Sequence, residues 1–126
     1  MKQVTPEILT TTPPAPDYLS AAASLEWAKI APAAVATGTL TDGDLRALAL
    51  LCECLASESA MREVLGREGV TVATGNDGMK PHPCLRALET ARTQAHKLMA
   101  DFGLTPKSRV GTAGVKPAPK WAPYKF

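Results

Sequence analysis

The most strongly apolar stretch of the chain lies near its middle and predicts one long helix from Asp42 to Arg67. Between Leu45 and Leu55 nearly every residue is apolar or small, and only Arg46 and Glu53 carry a charge. A helix that is apolar on all sides cannot keep one face in water. We therefore expect the long helix to be covered from several directions, by other helices of the chain or by further copies of it.

Capping signals bound this long helix, the second of the chain. Thr41 is a good N-cap, and Asp44 stands at the third helical position, as in a capping box. Asp42 adds negative charge near the positive end of the helix dipole. Gly69 is predicted to end the helix, because glycine adopts the backbone conformation that such an end requires.

A first helix is predicted after Ser20, which is a plausible N-cap, and it runs to about Ala36 before Gly38. Pro32 lies inside this helix, where it lacks a backbone N–H and clashes with the carbonyl group four residues earlier. We therefore expect a kink or a break near residues 29–31.

The one β-like segment follows the long helix. Residues 70–74 predict a strand, residues 75–78 are rich in turn formers, and residues 79–82 could return as a second strand. Pro81 and Pro83 limit the second strand to an edge position. Because two strands alone are marginal in water, we expect the hairpin to lean on the helices or on a neighbouring subunit.

A third helix is predicted to open at Pro83, a residue suited to the first helical position, and to end at Gly103. A short helix from Lys107 to about Val110 follows Thr105-Pro106. Apolar residues recur every three or four positions along the third helix, at Leu85, Leu88, Ala91, Ala95, Leu98, Met99 and Phe102.

The predicted fold is therefore mainly α, with a helical core around one long central helix, a small β-hairpin between helices 2 and 3, and disordered N- and C-terminal tails. Prolines and loss of periodicity divide the chain into a leader, residues 1–17, a core, residues 18–111, and a flexible basic aromatic tail, residues 112–126. The leader is interpreted as disordered or as an extended arm.

Charge is distributed unevenly along the 126 residues. Residues 1–78 hold 5 Lys and Arg against 10 Asp and Glu, and residues 79–126 hold 9 against 2. Such a chain can bind a polyanion with its basic half, or pair its two halves between subunits. The three cysteines follow no secretory signal, and no run of 18 apolar residues occurs. Free thiols, a cytoplasmic location and no membrane association are expected.

No catalytic site, metal site or cofactor is predicted. Cys52 and Cys54 would point about 200° apart on one helix, so they cannot chelate one ion together. Cys84 with His82 and His96 is a thin metal set that lacks the usual ligand spacings. A catalytic pair of Cys84 and His96 fails because twelve helical residues span about 18 Å. Buried thiols are the simpler interpretation.

Basic residues in the second half are candidates for contact with DNA phosphates. The alternatives are a solvated helix face and a surface turn whose cations stabilise the helix dipole. The candidates are Lys80, Arg86, Arg92, Lys97, Lys107 and Arg109.

Two further surfaces are predicted to bind proteins. Helices 1 and 3 can cover two sides of the long helix, which leaves the side around Leu50, Cys54 and Met61 as an oligomer interface. The tail holds half of the six aromatic residues of the chain, and aromatic residues between lysines and prolines are typical of a docking peptide. A merely disordered end is the alternative. The tail candidates are Trp121, Tyr124, Lys125 and Phe126.

Several short motifs, in this order and spacing, resemble the compact small terminase subunits of tailed phages and prophages. Together they span residues 17 to 111, about three quarters of the chain. They are Tyr18-Leu19-Ser20 before Glu26-Trp27 and Pro32, the segment from Gly38 to Leu45, Glu68-Gly69-Val70 before Thr74 to Gly78, His82-Pro83-Cys84-Leu85, and Phe102 to Pro106 with Ser108-Arg109.

The resemblance implies a non-enzymatic subunit that recognises the packaging site of viral double-stranded DNA. It also implies a homo-oligomeric ring that delivers DNA to the large terminase, which holds the ATPase and nuclease, in the cytoplasm of the bacterial host. Members commonly have Asn before the proline of helix 3, where this chain has His82. Two other functions stay open: a small helical transcription regulator, and an assembly adaptor with no DNA role.

Overall fold

The computed structural model describes residues 7–110, and over them it confirms the mainly α fold with a hairpin between the second and third helices. A short 3-10 turn, Asp42–Asp44, leads directly into the long helix. The helices and strands are α1 (Ala21–Ala36), α2 (Leu45–Glu68), β1 (Thr71–Ala73), β2 (Met79–Pro81), α3 (Pro83–Asp101) and α4 (Pro106–Arg109).

Helix α2 is the centre of the core, and both α1 and α3 pack against it. Its side chains Leu48, Leu51 and Cys52 are completely buried. Apart from Trp27 of α1 and Leu88 of α3, the buried residues of the two flanking helices are alanines. These are Ala23, Ala31 and Ala34 of α1, and Ala91 and Ala95 of α3.

Helix α1 runs without interruption through Pro32, so the alternative of a break near residues 29–31 is wrong. The missing N–H would have bonded the carbonyl of Ala28. Both Pro32 and Ala28 are exposed, so water can reach that carbonyl, while buried Ala31 and Ala34 hold the helix against α2.

A carboxylate of α2 fastens the start of α1. Ser20 is the N-cap, and its Oγ accepts the N–H of Ala23 at 3.1 Å. The same hydroxyl donates to Glu53 Oε1 at 2.8 Å, and the backbone N–H of Ser20 donates to Glu53 Oε2 at 3.1 Å. One of the two charges in the apolar half of α2 therefore joins α1 to α2.

The ends of α2 follow the predicted chemistry, with one difference at the start. The N–H of Thr41 donates to Asp44 Oδ2 at 2.9 Å, which is one half of a capping box. Asp44 also donates its own N–H to the carbonyl of Thr41, so the first turn is tighter than an α-helix. Gly69, with φ of +84°, ends the helix.

Residues 7–17 form an extended arm along the core, which is the second of the two interpretations given for the leader. The N–H of Leu9 donates to the carbonyl of Leu40 at 2.7 Å, and the buried indole of Trp27 donates Nε1–H to the carbonyl of Pro13 at 3.0 Å. Leu9 and Ala15 also pack against the core. These contacts hold a proline-rich segment that has no periodicity of its own.

The hairpin pairs β1 with β2 antiparallel, with Val72 opposite Lys80. Its side chains are largely exposed, including Val70 and Met79 at 56% and 64%. Within the described residues the hairpin therefore leans little on the helices. The N–H of His82, just after β2, donates to the carbonyl of Val70, just before β1. This bond holds the two ends of the hairpin together where α3 begins.

His82 is the N-cap of α3, and its buried imidazole makes two hydrogen bonds. Nδ1 accepts the N–H of Cys84 at 3.0 Å, and Nε2 lies 3.1 Å from Glu68 Oε1. Since Nδ1 accepts, the proton belongs on Nε2, which donates to the carboxylate. His82 therefore caps α3 and ties its start to the last residue of α2.

Exchange of His82 tests this cap. His82→Asn keeps a side chain that can accept the Cys84 N–H, whereas His82→Ala removes it, and both variants lose the bond to Glu68. We expect the Ala variant to be less stable than the Asn variant by about 1 kcal/mol. Urea unfolding at one fixed protein concentration measures the difference, and equal stability of the two variants would contradict the cap.

Candidate functional site

The outer face of α3 carries two of the predicted basic residues, Arg86 and Lys97, and both are exposed. They are eleven residues apart, so they point within about 20° of each other and lie about 16 Å apart along the helix axis. The buried residues Leu88, Ala91 and Ala95 lie on the opposite side. Arg86 and Lys97 therefore mark the two ends of one solvent-facing stripe.

Further cations extend both ends of this stripe. Exposed Lys80 lies on β2, three residues before α3 begins at Pro83. Exposed Lys107 and Arg109 lie on α4, which packs against α3. Lys107 lines a shallow apolar pocket together with His96 of α3, which places it along the second half of that helix.

Arg92 differs from the other five predicted basic residues because its charge is already compensated. Its Nε donates to Glu58 Oε1 of α2 at 3.1 Å, and Arg62 contacts the same oxygen at 3.2 Å. The pairing of Glu58 with Arg62 follows from their four-residue spacing, whereas Arg92 comes from 34 residues away. Arg92 is thus a link between α2 and α3.

The middle of the outer face carries no cation. Glu89, Thr90, Thr93 and Gln94 line an open groove together with Arg86. Thr90, Thr93 and Gln94 were missed as candidates because an exposed threonine or glutamine has no charge or periodicity that distinguishes it in a sequence. Their significance depends on the positions of the cations around them.

The three predicted interface residues surround one open, mainly apolar groove between α2 and α3. Leu50 is 55% exposed, Met61 is half-buried, and Cys54 is almost buried at the base. On the side of α3 the groove is lined by Ala87, Thr90, Ala91 and Gln94.

A second shallow pocket continues the groove along α2, because both share Leu50 and Glu53. Its wall includes Tyr18, which is 65% exposed. Tyr18 was not among the predicted interface residues, since it precedes α1 and no periodic pattern connects it with α2. The exposed apolar surface therefore extends beyond the three predicted residues, along α2 as far as Tyr18.

The cysteines have the character of packing residues. Burial raises the pKa of Cys52 from 9.0 to about 12, and the carboxylates of Glu26 and Glu53 add to the shift. Burial also raises the pKa of Cys54, with a further contribution from Glu53. Both thiols are protonated at neutral pH and are poor nucleophiles.

The described residues show no other sign of a reactive centre. Over residues 7–110, no group of three or more His, Cys, Asp and Glu side chains could hold a metal ion. No buried side-chain nitrogen or oxygen in this part of the chain lacks a hydrogen-bond partner. Within the same residues, every helix is too short or too polar to cross a membrane.

A family model described as "Phage terminase, small subunit" matches residues 23–118. This match covers about three quarters of the chain, from the first turn of α1 to beyond α4. The chain belongs to the family of phage terminase small subunits. Comparison with curated proteins and with solved structures gave no match.

Membership gives this small terminase subunit a role in phage DNA packaging. Small subunits generally interact with DNA and with the large terminase, and they are generally non-catalytic because the ATPase belongs to the large subunit. The tail candidates Trp121, Tyr124, Lys125 and Phe126 lie outside the described residues. They also lie beyond the matched region.

Proposed function

We propose that this small terminase subunit recognises viral genomic DNA at the packaging site and forms a homo-oligomeric ring. The ring delivers the DNA to the large terminase, the ATPase and nuclease, for packaging into procapsids in the host cytoplasm. The subunit itself is not an enzyme. Residues 18–111 carry assembly and DNA binding, and residues 112–126 carry partner contacts.

Unpaired cations are the observation that supports DNA binding most strongly. Among the described residues, Lys80, Arg86, Lys97, Lys107 and Arg109 make no ion pair within the chain. The acids of α2 are partly paired, for example Glu58 with Arg62 and Glu63 with Arg67. Free cations can bind phosphates without first breaking a bond, and they release counterions when they do so.

The apolar groove supports assembly. Leu50 lies in the most apolar stretch of the chain, yet more than half of its side chain is exposed in a single subunit. The groove around it is bounded by residues of α2 and α3, which pack against each other within the single subunit. A second copy of the chain is the proposed occupant, because a ring presents the same interface repeatedly.

A transcription regulator fits less well. A helix-turn-helix module joins its two helices by a turn of about three or four residues. Here a β-hairpin separates α2 from α3, which begins at Pro83, fifteen residues after Glu68. The remaining alternative is an assembly adaptor without a DNA role. It would form the same oligomer, and the binding experiment below distinguishes it from a DNA-binding subunit.

Charge reversal tests the DNA surface. We expect affinity for duplex DNA to fall steeply with salt, and the combined variant Arg86→Glu, Lys97→Glu, Lys107→Glu, Arg109→Glu to lose binding. Each phosphate contact removed should reduce the slope of log affinity against log salt by about 0.9. Fluorescence anisotropy with labelled duplexes measures both quantities.

The control for this experiment is Lys29→Glu, which changes an exposed cation of α1, a helix that carries none of the proposed DNA contacts. It should leave the salt slope close to that of the wild type. Unchanged affinity of the combined variant would reject the surface, and absence of DNA binding by the wild type would favour the adaptor.

Leu50→Asp tests the assembly surface. A charge in the groove should dissociate the oligomer while leaving the monomer folded, because Leu50 is not part of the buried core. Light scattering after size exclusion gives the mass, and circular dichroism reports the helices. Leu25→Asp is the matched control, since Leu25 is 68% exposed on α1 and lines none of these pockets.

A wild-type chain that stays monomeric at micromolar concentration would refute the ring. Dissociation by Leu25→Asp to the same extent as by Leu50→Asp would place the interface elsewhere.

Removal of residues 112–126 tests the tail. We expect the truncated subunit to assemble normally but to lose binding to the large terminase or to DNA, because aromatic anchors contribute strongly to protein contacts. Replacement of Trp121, Tyr124 and Phe126 by Ala should have the same effect. Normal binding by both variants would show that the tail is dispensable.

A further inference from the structure

The outer face of α3 has an ordered arrangement of charge and hydroxyl groups. Arg86, Thr90, Thr93 and Lys97 follow one another at spacings of four, three and four residues, and all are exposed. At 100° per residue they fall within an arc of about 60°. Two threonines are thus flanked by two cations on a single stripe.

Helix stability does not explain the two threonines. Threonine forms helices less readily than lysine, glutamate or alanine, and neither residue packs in the core. The hydroxyl of Thr93 donates to the carbonyl of Glu89 at 3.0 Å, so its oxygen can still accept a hydrogen bond. Thr90 makes no side-chain hydrogen bond within the part of the chain that the structure describes.

The dimensions suit the major groove of duplex DNA. That groove is about 12 Å wide and admits an α-helix. Arg86 and Lys97 lie about 16 Å apart along the axis, so their long side chains can reach the phosphates on either side. Thr90 and Thr93 would then face the base edges, where a threonine hydroxyl can bond any base and its methyl group can contact thymine.

No cation lies between Arg86 and Lys97 on this stripe, which favours contacts with bases over binding to phosphates alone. A surface that binds phosphates alone would gain from cations along its whole length. Here the centre holds hydroxyl groups, with the carboxylate of Glu89 beside them. A carboxylate repels phosphates but can accept a hydrogen bond from the amino group of cytosine.

We propose that α3 lies in the major groove of the packaging site, with Thr90 and Thr93 reading bases and with Arg86 and Lys97 holding the phosphates. This inference rests on the proposed function, because it assumes that the subunit binds DNA. Thr90 also lines the α2–α3 groove, so a neighbouring subunit in that groove must leave its hydroxyl accessible.

Selection from a random duplex library by the full-length protein tests the inference. The wild type should enrich a defined sequence. Thr90→Val and Thr93→Val, examined separately, should each reduce the preference for that sequence over a scrambled duplex by about tenfold. Affinity for the scrambled duplex and the salt slope should not change. Ser59→Ala, at an exposed position on α2, is the control and should keep the preference.

Three results would overturn the inference while leaving DNA binding intact. The wild type could enrich no sequence, both valine variants could keep the full preference, or they could lose affinity equally for all duplexes. Failure of the wild type to bind any duplex would instead reject the proposed function. Arg86→Gln should weaken binding to every sequence alike and reduce the salt slope by about 1.

Discussion

Burial of α2 between two helices with small inward side chains is the constraint on which the rest of this structure depends. Each fully buried leucine contributes roughly 1.5–3 kcal/mol, and Leu48 and Leu51 are completely buried in a core to which α1 and α3 contribute mainly alanines. Two helices cannot surround a third. A strip of α2 from Leu50 to Met61 therefore stays accessible, and the arm of residues 7–17 adds further cover to the core.

The two proposed binding surfaces are neighbours on α3. Thr90 and Gln94 line both the apolar groove between α2 and α3 and the open groove on the outer face of α3. Protein contacts on one flank of the helix and DNA contacts on the next would therefore share a rigid element. In an assembly, the orientation of each DNA surface would be determined by the packing of adjacent subunits, and no flexible linker within residues 83–101 would intervene.

Local signals in the sequence predicted the local structure well. The N-cap at Ser20, the capping carboxylate of Asp44, the glycine at the end of α2 and the proline that opens α3 each act within a few residues, so their effects can be read directly from the chain. Pro32 shows the limit of such rules. Its local cost is outweighed by packing of the same helix against α2, which no short window of sequence contains.

Contacts between distant residues were beyond prediction from one sequence. The bonds of Glu53 to Ser20 and of Arg92 to Glu58 join residues 33 and 34 positions apart. The arm is similar, since its backbone bonds depend on where Leu40 lies after folding. For the candidate site, charge alone selected the cations of α3. Charge could not show that Arg92 is paired, and it passed over the two threonines between Arg86 and Lys97 because they are neutral, although their spacing can be counted in the sequence.

Because the indole of Trp27 donates to the carbonyl of Pro13, tryptophan fluorescence can report the position of the arm. Trp27 is 3% exposed and is one of two tryptophans in the chain, the other being Trp121. Detachment of the arm would break the indole bond and admit water to the ring, which shifts tryptophan emission to longer wavelength. With Trp121 replaced by phenylalanine, the intrinsic fluorescence of the subunit would report whether its arm is seated as DNA or another subunit binds.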